Sequence, residues 1–373
     1  MPRRGGRGGL VETRISFPYP FSAPALPRSN DSIVTIQRVE ASLRGIVGAD
    51  APTGTDITTP VAVALGPYHH DARGLETMEA AKRAALEEFC RAANQPLKAV
   101  DASIFPVALS CRRYYADDYT LGAWKDPLMS RVEVHTCVDA IARDVMLLEN
   151  QIPWPVLEAL MALRPGGVPV GRFLSLMASA FDSGNDDQAT GSHLLHGVVA
   201  DPPPPHLLGL FYRRQVDPAR TQSLRVPRLS SHTSTAVELA EMGVKLAASR
   251  SNKFGDMAMA KRRRRGVSGE LSLAPVALND VTACWLVNMA AYEACLGAAL
   301  PDNFAVSSYI SVVALLVNRE QDVQELRARG IVSSTLSDMD TLHFFKTIVA
   351  VLSILGVLAG LFKTILSLKQ PQQ

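Results

Sequence analysis

The stretch Leu147-Leu148-Glu149-Asn150-Gln151-Ile152-Pro153 decides how this chain is read. Upstream of it the apolar positions Val138, Ile141, Val145, Leu148 and Ile152 recur at helical spacing. They predict a helix over 134–151, which Pro153 and Pro155 stop or restart. Pro153 suits the first turn of a second helix, Trp154 to Leu163. The stretch places one carboxylate and two amides at a helix end, so two uses compete. Glu149 could act as an acid or base with a carboxylate partner, of which Asp139, Asp144 and Glu158 are candidates. Alternatively it forms a buried ion pair, with Arg143 or a distant arginine, while Asn150 and Gln151 satisfy the carbonyls of the helix end.

Outward from that stretch the chain reads as mainly α, with few short strand signals. Ile36, Val39, Leu43 and Ile46 form an apolar stripe after a capping Asp31 or Ser32. Val61–Leu65 is a short apolar run ended by the turn signal Gly66-Pro67. Helices are predicted over 74–94, 171–181, 234–248, 280–299 and 319–329, the last closed by Gly330, and 306–317 is strongly apolar. Residues 270–278 alternate weakly, as a strand would. Pro202 to Pro205 read as a polyproline surface linker or, less commonly, as a ligand for an SH3-like groove.

Composition bounds the function. Apolar residues make up 47% and charged residues 20% of 373, which suits a globular body with a substantial core. The net charge is +2, so bulk electrostatics points to no nucleic-acid partner. Five scattered cysteines, with no C-x-x-C pair, argue for reduced thiols rather than a disulfide framework or a zinc site. Residues 1–30 are rich in Gly, Arg, Pro and Ser and read as a disordered basic tail without the apolar core of a secretory signal. The body, 31–338, reads as one helical domain with a flexible basic insertion at 250–269.

The C-terminus carries the next signal. Thr347 to Phe362 is uncharged and apolar, and the run resumes after Lys363 to Leu368. With Lys363 snorkelling, it approaches the ~20 residues a bilayer needs. The expectation is a membrane anchor over 345–368; a buried core helix is the competing reading. Lys346 flanks one side and Lys363 and Lys369 the other, so orientation stays open. Gly356 and Gly360 form G-x-x-x-G inside the run, which would allow a homodimer through close helix approach.

Chemistry-bearing patterns are sparse. Gly66-Pro67-Tyr68-His69-His70 invites a metal or general-base reading, and His193 and His196 share an i,i+3 spacing that would complete a four-histidine site. Adjacent histidines diverge on most backbones, so a turn whose Tyr and His side chains pack and hydrogen-bond is the plainer reading. Neither nucleophile elbows nor phosphate loops occur. Lys261-Arg262-Arg263-Arg264-Arg265 could serve as a nuclear import signal, a nucleic-acid contact, an anionic-lipid patch or a plain solvated loop.

The two motifs, Gly66–His70 and Leu148–Pro153, resemble in order and spacing the plant family called domain of unknown function 247. Further stretches look like that family: Met78-Glu79 with Lys82, Ser110 to Tyr115, His193 to His196, Ser234 to Leu239 with Gly243 to Lys245, Glu270 to Asp280, Tyr292 to Cys295, and Asp322 to Leu326 with Gly330-Ile331. The likeness covers roughly residues 31–368. Trp154-Pro155 departs from the two phenylalanines common there, and the N-P-W that usually precedes the membrane run is missing. The resemblance implies no catalytic activity and no cofactor or metal; some grass relatives are linked to pollen self-incompatibility. It implies a membrane-tethered recognition or signalling protein with a cytosolic body, the plasma membrane being favoured, and a protein partner of unknown identity. An unrecognised hydrolase or metal enzyme built on His69, His70 and Glu149 stands against it. A soluble nuclear protein directed by 261–265 is the third reading.

Overall fold

In the computed structural model the described residues are 36–39, 58–70, 72–115, 138–165, 167–181, 203–216, 234–262, 268–296 and 304–350. All lie in one compact unit, Val34–Gln373. The fold is mainly helical. Its helices are α1 Glu76–Ala93, α2 Leu97–Ser110, α3 Val138–Asp144, α4 Trp154–Ala162, α5 Val170–Ser179, α6 Leu207–Val216, α7 Ala236–Glu241, α8 Asp280–Leu296, α9 Ala305–Leu316, α10 Glu320–Ala328 and α11, 338–350. The strands are β1 Lys245–Ala248, β2 Ala258–Arg262, β3 Ser268–Leu273, β4 Val276–Leu278 and β5 Val332–Ser334.

Helix α8 organises the core. Twelve of its 17 residues are buried, which leaves it no solvent face, and α3, α6, α9 and β4 pack against it. Trp285 meets Phe181 and Phe211 edge-on, with ring centres 5.8 and 5.6 Å away, and its indole donates to the Ala142 carbonyl at 3.0 Å. Buried aromatics with this geometry bring both area and orientation.

Two small sheets flank the helices. Strand β3 is central, pairing in parallel with β1 and antiparallel with β2; β4 and β5 pair in parallel.

Several sequence expectations are corrected. The helix predicted to 248 stops at Glu241, because Gly243 adopts φ +81°, a left-handed conformation that reverses the chain into β1. The basic insertion contributes a paired hairpin, β2 and β3, rather than only a loop. Residue 36 is extended and bridged to Tyr115, so the apolar stripe from Ile36 does not begin as a helix. The proline run is no free linker: Pro204 is buried and the Pro205 carbonyl accepts from Trp154 N–H at 2.8 Å.

The expected anchor is corrected over 345–350, where α11 packs into the core. Leu342, Phe344, Phe345 and Ile348 on α11 are buried in the main core, with Phe344 and Phe345 edge-to-face. Among the described residues no helix is long and apolar enough to cross a membrane. Residues 351–368, with Gly356 and Gly360, lie outside the described residues.

Candidate functional site

The two motifs meet. Helix α3 ends at Asp144, not at Gln151 as the periodicity predicted, and the chain then turns through a 3-10 turn, Leu148–Asn150. The cause is competition for main-chain groups by side chains. Asn150 Nδ2 donates to the carbonyls of Asp144 (3.0 Å) and Val63 (2.7 Å). Gln151 Nε2 donates to those of Val145 (3.0 Å) and Leu147 (2.7 Å). The Leu148 N–H donates to Asn288 Oδ1 of α8 at 2.8 Å. With its carbonyls and amides claimed this way, the segment cannot continue as a helix, and the satisfied groups can be buried.

The same amides hold the Gly66–His70 segment. Asn150 Oδ1 accepts from the N–H groups of Leu65 (2.6 Å) and Gly66 (3.2 Å). Gly66 lies so close that a Cβ would stand 2.8 Å from the Gln151 carbonyl oxygen, so only glycine fits. Gln151 Oε1 accepts from Leu208 N–H at 3.0 Å, tying the motif to α6. Tyr115, edge-on to Tyr68 at 5.5 Å, donates its hydroxyl to the Gln151 carbonyl at 2.9 Å.

Asp144 is the anchor that the sequence offered only as an acid–base candidate. Its buried carboxylate accepts from three consecutive N–H groups, Val61 (3.0 Å), Ala62 (2.6 Å) and Val63 (2.9 Å). Arg143 lies 3.2 Å from its other oxygen, so this arginine pairs with Asp144. Burial pushes the Asp144 carboxyl above its ordinary range, and the N–H donors and Arg143 counter that.

Glu149 is buried. Its Oε1 accepts from Val39 N–H at 2.5 Å, and its Oε2 lies 3.4 Å from Nε2 of the buried His69, an electrostatic contact rather than an aligned hydrogen bond. The structure thus brings together His69 and Glu149 of the predicted set. His70 is half-buried, and His193 and His196 lie outside the described residues. Among the described residues no group of three His, Cys, Asp or Glu side chains could hold a metal ion. Lys261 and Arg262 end strand β2; Arg263, Arg264 and Arg265 lie outside the described residues.

Below this layer sits a polar cluster the sequence reading missed. His206 is buried and caps α6, its Nδ1 accepting from Gly209 N–H at 3.1 Å, and burial pushes its pKa down to about 3, so the ring is neutral. Glu293, buried in α8, accepts from Tyr212 (2.9 Å), Val306 N–H (2.7 Å), and the N–H and hydroxyl of Ser307 (2.8 and 2.6 Å). Burial raises its pKa to about 7 against those four donors. The carboxylate joins α6, α8 and the first turn of α9. The signal that could have found it is a lone acid inside an otherwise apolar helix.

In chemical terms, the Asn150 and Gln151 amides, the Asp144 carboxylate and one Glu149 oxygen engage main-chain groups. The arrangement binds backbone and positions segments. The family described as plant protein of unknown function (DUF247) matches this chain over residues 36–126 and 118–369. No curated protein and no solved structure matches it.

Proposed function

Because the chain belongs to this DUF247 family of plant proteins, we propose that it is a membrane-tethered interaction protein without catalytic activity, whose motif residues hold the fold. The observation that carries the reading is the engagement of Asp144, Asn150 and Gln151 with backbone donors and acceptors. Acid–base catalysis needs a titratable group within reach of a substrate proton. Glu149 and His69 are instead buried, with one Glu149 oxygen engaged by Val39 N–H. Recognition then falls to the surface. The tether rests on residues 351–368, apolar apart from Lys363 and close to the length of a bilayer span.

Fractionation with carbonate extraction tests the tether. The comparison is the full chain against one ending at Ala350, since a cut at 340 would tear Phe345 and Ile348 from the core. Retention of the full chain in the membrane pellet, with release of the shorter one, is expected. If both are released, the tether reading fails. Activity of the purified body on an ester or peptide substrate, lost on Glu149→Gln, would favour the enzyme reading instead.

A further inference from the structure

Helix α5 carries two apolar stripes. Leu174 and Met177, with Phe181 just past the helix, form the inner one and are buried in the main core. Phe181 stacks on Phe211 and meets Phe254 and Trp285 edge-on, so this end of the helix is pinned. The outer stripe is Pro169, Phe173 and Leu176, four and three residues apart. All three are exposed, as is Val168 before them, and Leu176 keeps 70% of its surface in solvent. A surface helix of a globular body shows one apolar stripe and a polar back. Clustered apolar side chains left in solvent mark an interaction face.

Charge sets the partner. Arg172 is exposed on the same side, one helical turn before Leu176. Arg214 of α6 reaches across to α5 and donates to Ser175 Oγ at 2.9 Å. Arg164 belongs to the connection that leads into Val168. From Ala159 to Phe181 the chain holds Arg164 and Arg172 and no acid; Glu158 and Asp182 are the nearest acids in sequence. A twofold contact uses one patch twice, so pairing of this face with its own copy would set Arg172 and Arg214 against the same arginines. An anionic lipid leaflet suits both halves of the surface. Its headgroups attract the guanidiniums, and its acyl boundary takes up the phenyl and leucine side chains.

We propose that the outer face of α5 docks on an anionic lipid leaflet, with Phe173 and Leu176 at the acyl boundary and Arg172 and Arg214 on the headgroups. The inference rests on the membrane reading and adds a contact made by the body to the one made by the tail. A docked α5 orients the body, and so fixes which surface is left for a protein partner.

The test uses the full chain, purified in detergent and mixed with vesicles before the detergent is removed. A fluorescent amino acid that reports polarity replaces Leu176 in one preparation and Met242, exposed just past α7, in another. In phosphatidylcholine vesicles with about one third phosphatidylserine, a quencher carried high on the acyl chains should remove about half the emission at 176 and little at 242. Arg172→Glu should lower the quenching at 176 about threefold, and vesicles of phosphatidylcholine alone should lower it as much. No quenching at 176, or equal quenching at both positions, overturns the docking. Quenching that ignores both the lipid charge and Arg172→Glu overturns the anionic leaflet as partner. Emission at 176 that is shielded in detergent and shifts to the red on dilution gives the face to a second copy and overturns the proposal too. Carbonate extraction reads the tail separately. Release of the chain with quenching at 176 intact before extraction sinks the tether and leaves the docking; retention without quenching sinks the docking and leaves the tether.

Discussion

The turn Asp144–Gln151 and helix α8 are both buried, yet they are held by opposite means. In the turn, backbone that is not regular α-helix or strand is kept inside by side-chain amides and a carboxylate that replace lost main-chain partners. In α8 the backbone satisfies itself, and the side chains contribute mostly apolar area. Chemistry of individual atoms matters in the first region and volume in the second. Asn288 joins them, donating to the Cys284 carbonyl within α8 and accepting from Leu148 of the turn.

That contrast can be broken or sharpened by chemical denaturation of variants. Trp285→Ala should cost the most, about 4 kcal/mol, through the cavity it leaves and the lost bond to Ala142. Asn150→Asp keeps the shape but can no longer donate to Val63 and Asp144, and should cost about 3 kcal/mol. The size-conserving swap Leu286→Met in α8 should cost less than about 1.5 kcal/mol. If Leu286→Met proves costlier than Asn150→Asp, the contrast collapses.

The pH profile sharpens it, because Glu293 brings the chemistry of the turn into α8. Its folded pKa, about 7, lies above the ordinary 4.5. The folded state therefore holds the proton more tightly, and stability falls as pH rises from 4.5 to about 7. The loss is on the order of 3 kcal/mol. Asp144, also raised, adds in the same direction. Denaturation midpoints measured from pH 5 to 8 should decline, and Glu293→Gln should flatten that decline. A slope that Glu293→Gln leaves unchanged assigns it elsewhere. The smallest effect belongs to neither region: Leu176→Ser on the exposed face of α5 should stay within about 0.5 kcal/mol.

Legibility followed the same division. The sequence placed α4, α5 and α10 within a residue or two of their observed bounds, because a regular helix advertises its buried face every three or four residues. It failed at 145–151, where Asn150 and Gln151 capture carbonyls that a helix would have used. The composition there still looks helical; the partners Val63, Leu65 and Leu208 are distant in sequence and invisible to a local window. Arg143 or a distant arginine was the expected partner of Glu149, and Arg143 pairs with its neighbour Asp144. The pairing of His69 with Glu149 was available as a hypothesis, whereas the placement of Val39 on Glu149 was not, since an N–H donor leaves no mark in a sequence.

By itself the sequence determined the family, the mainly helical class, and the residues that matter in both motifs, because motif order and apolar spacing are local properties. Only the tertiary structure decided what those residues do. Hydrogen bonds to backbone more than 80 residues away made the Asn150 side chain a fastener between distant segments. Burial of Phe345 and Ile348 assigned residues expected in an anchor to the core instead. A buried polar group must find its partner wherever the fold brings one, and that choice is made in space.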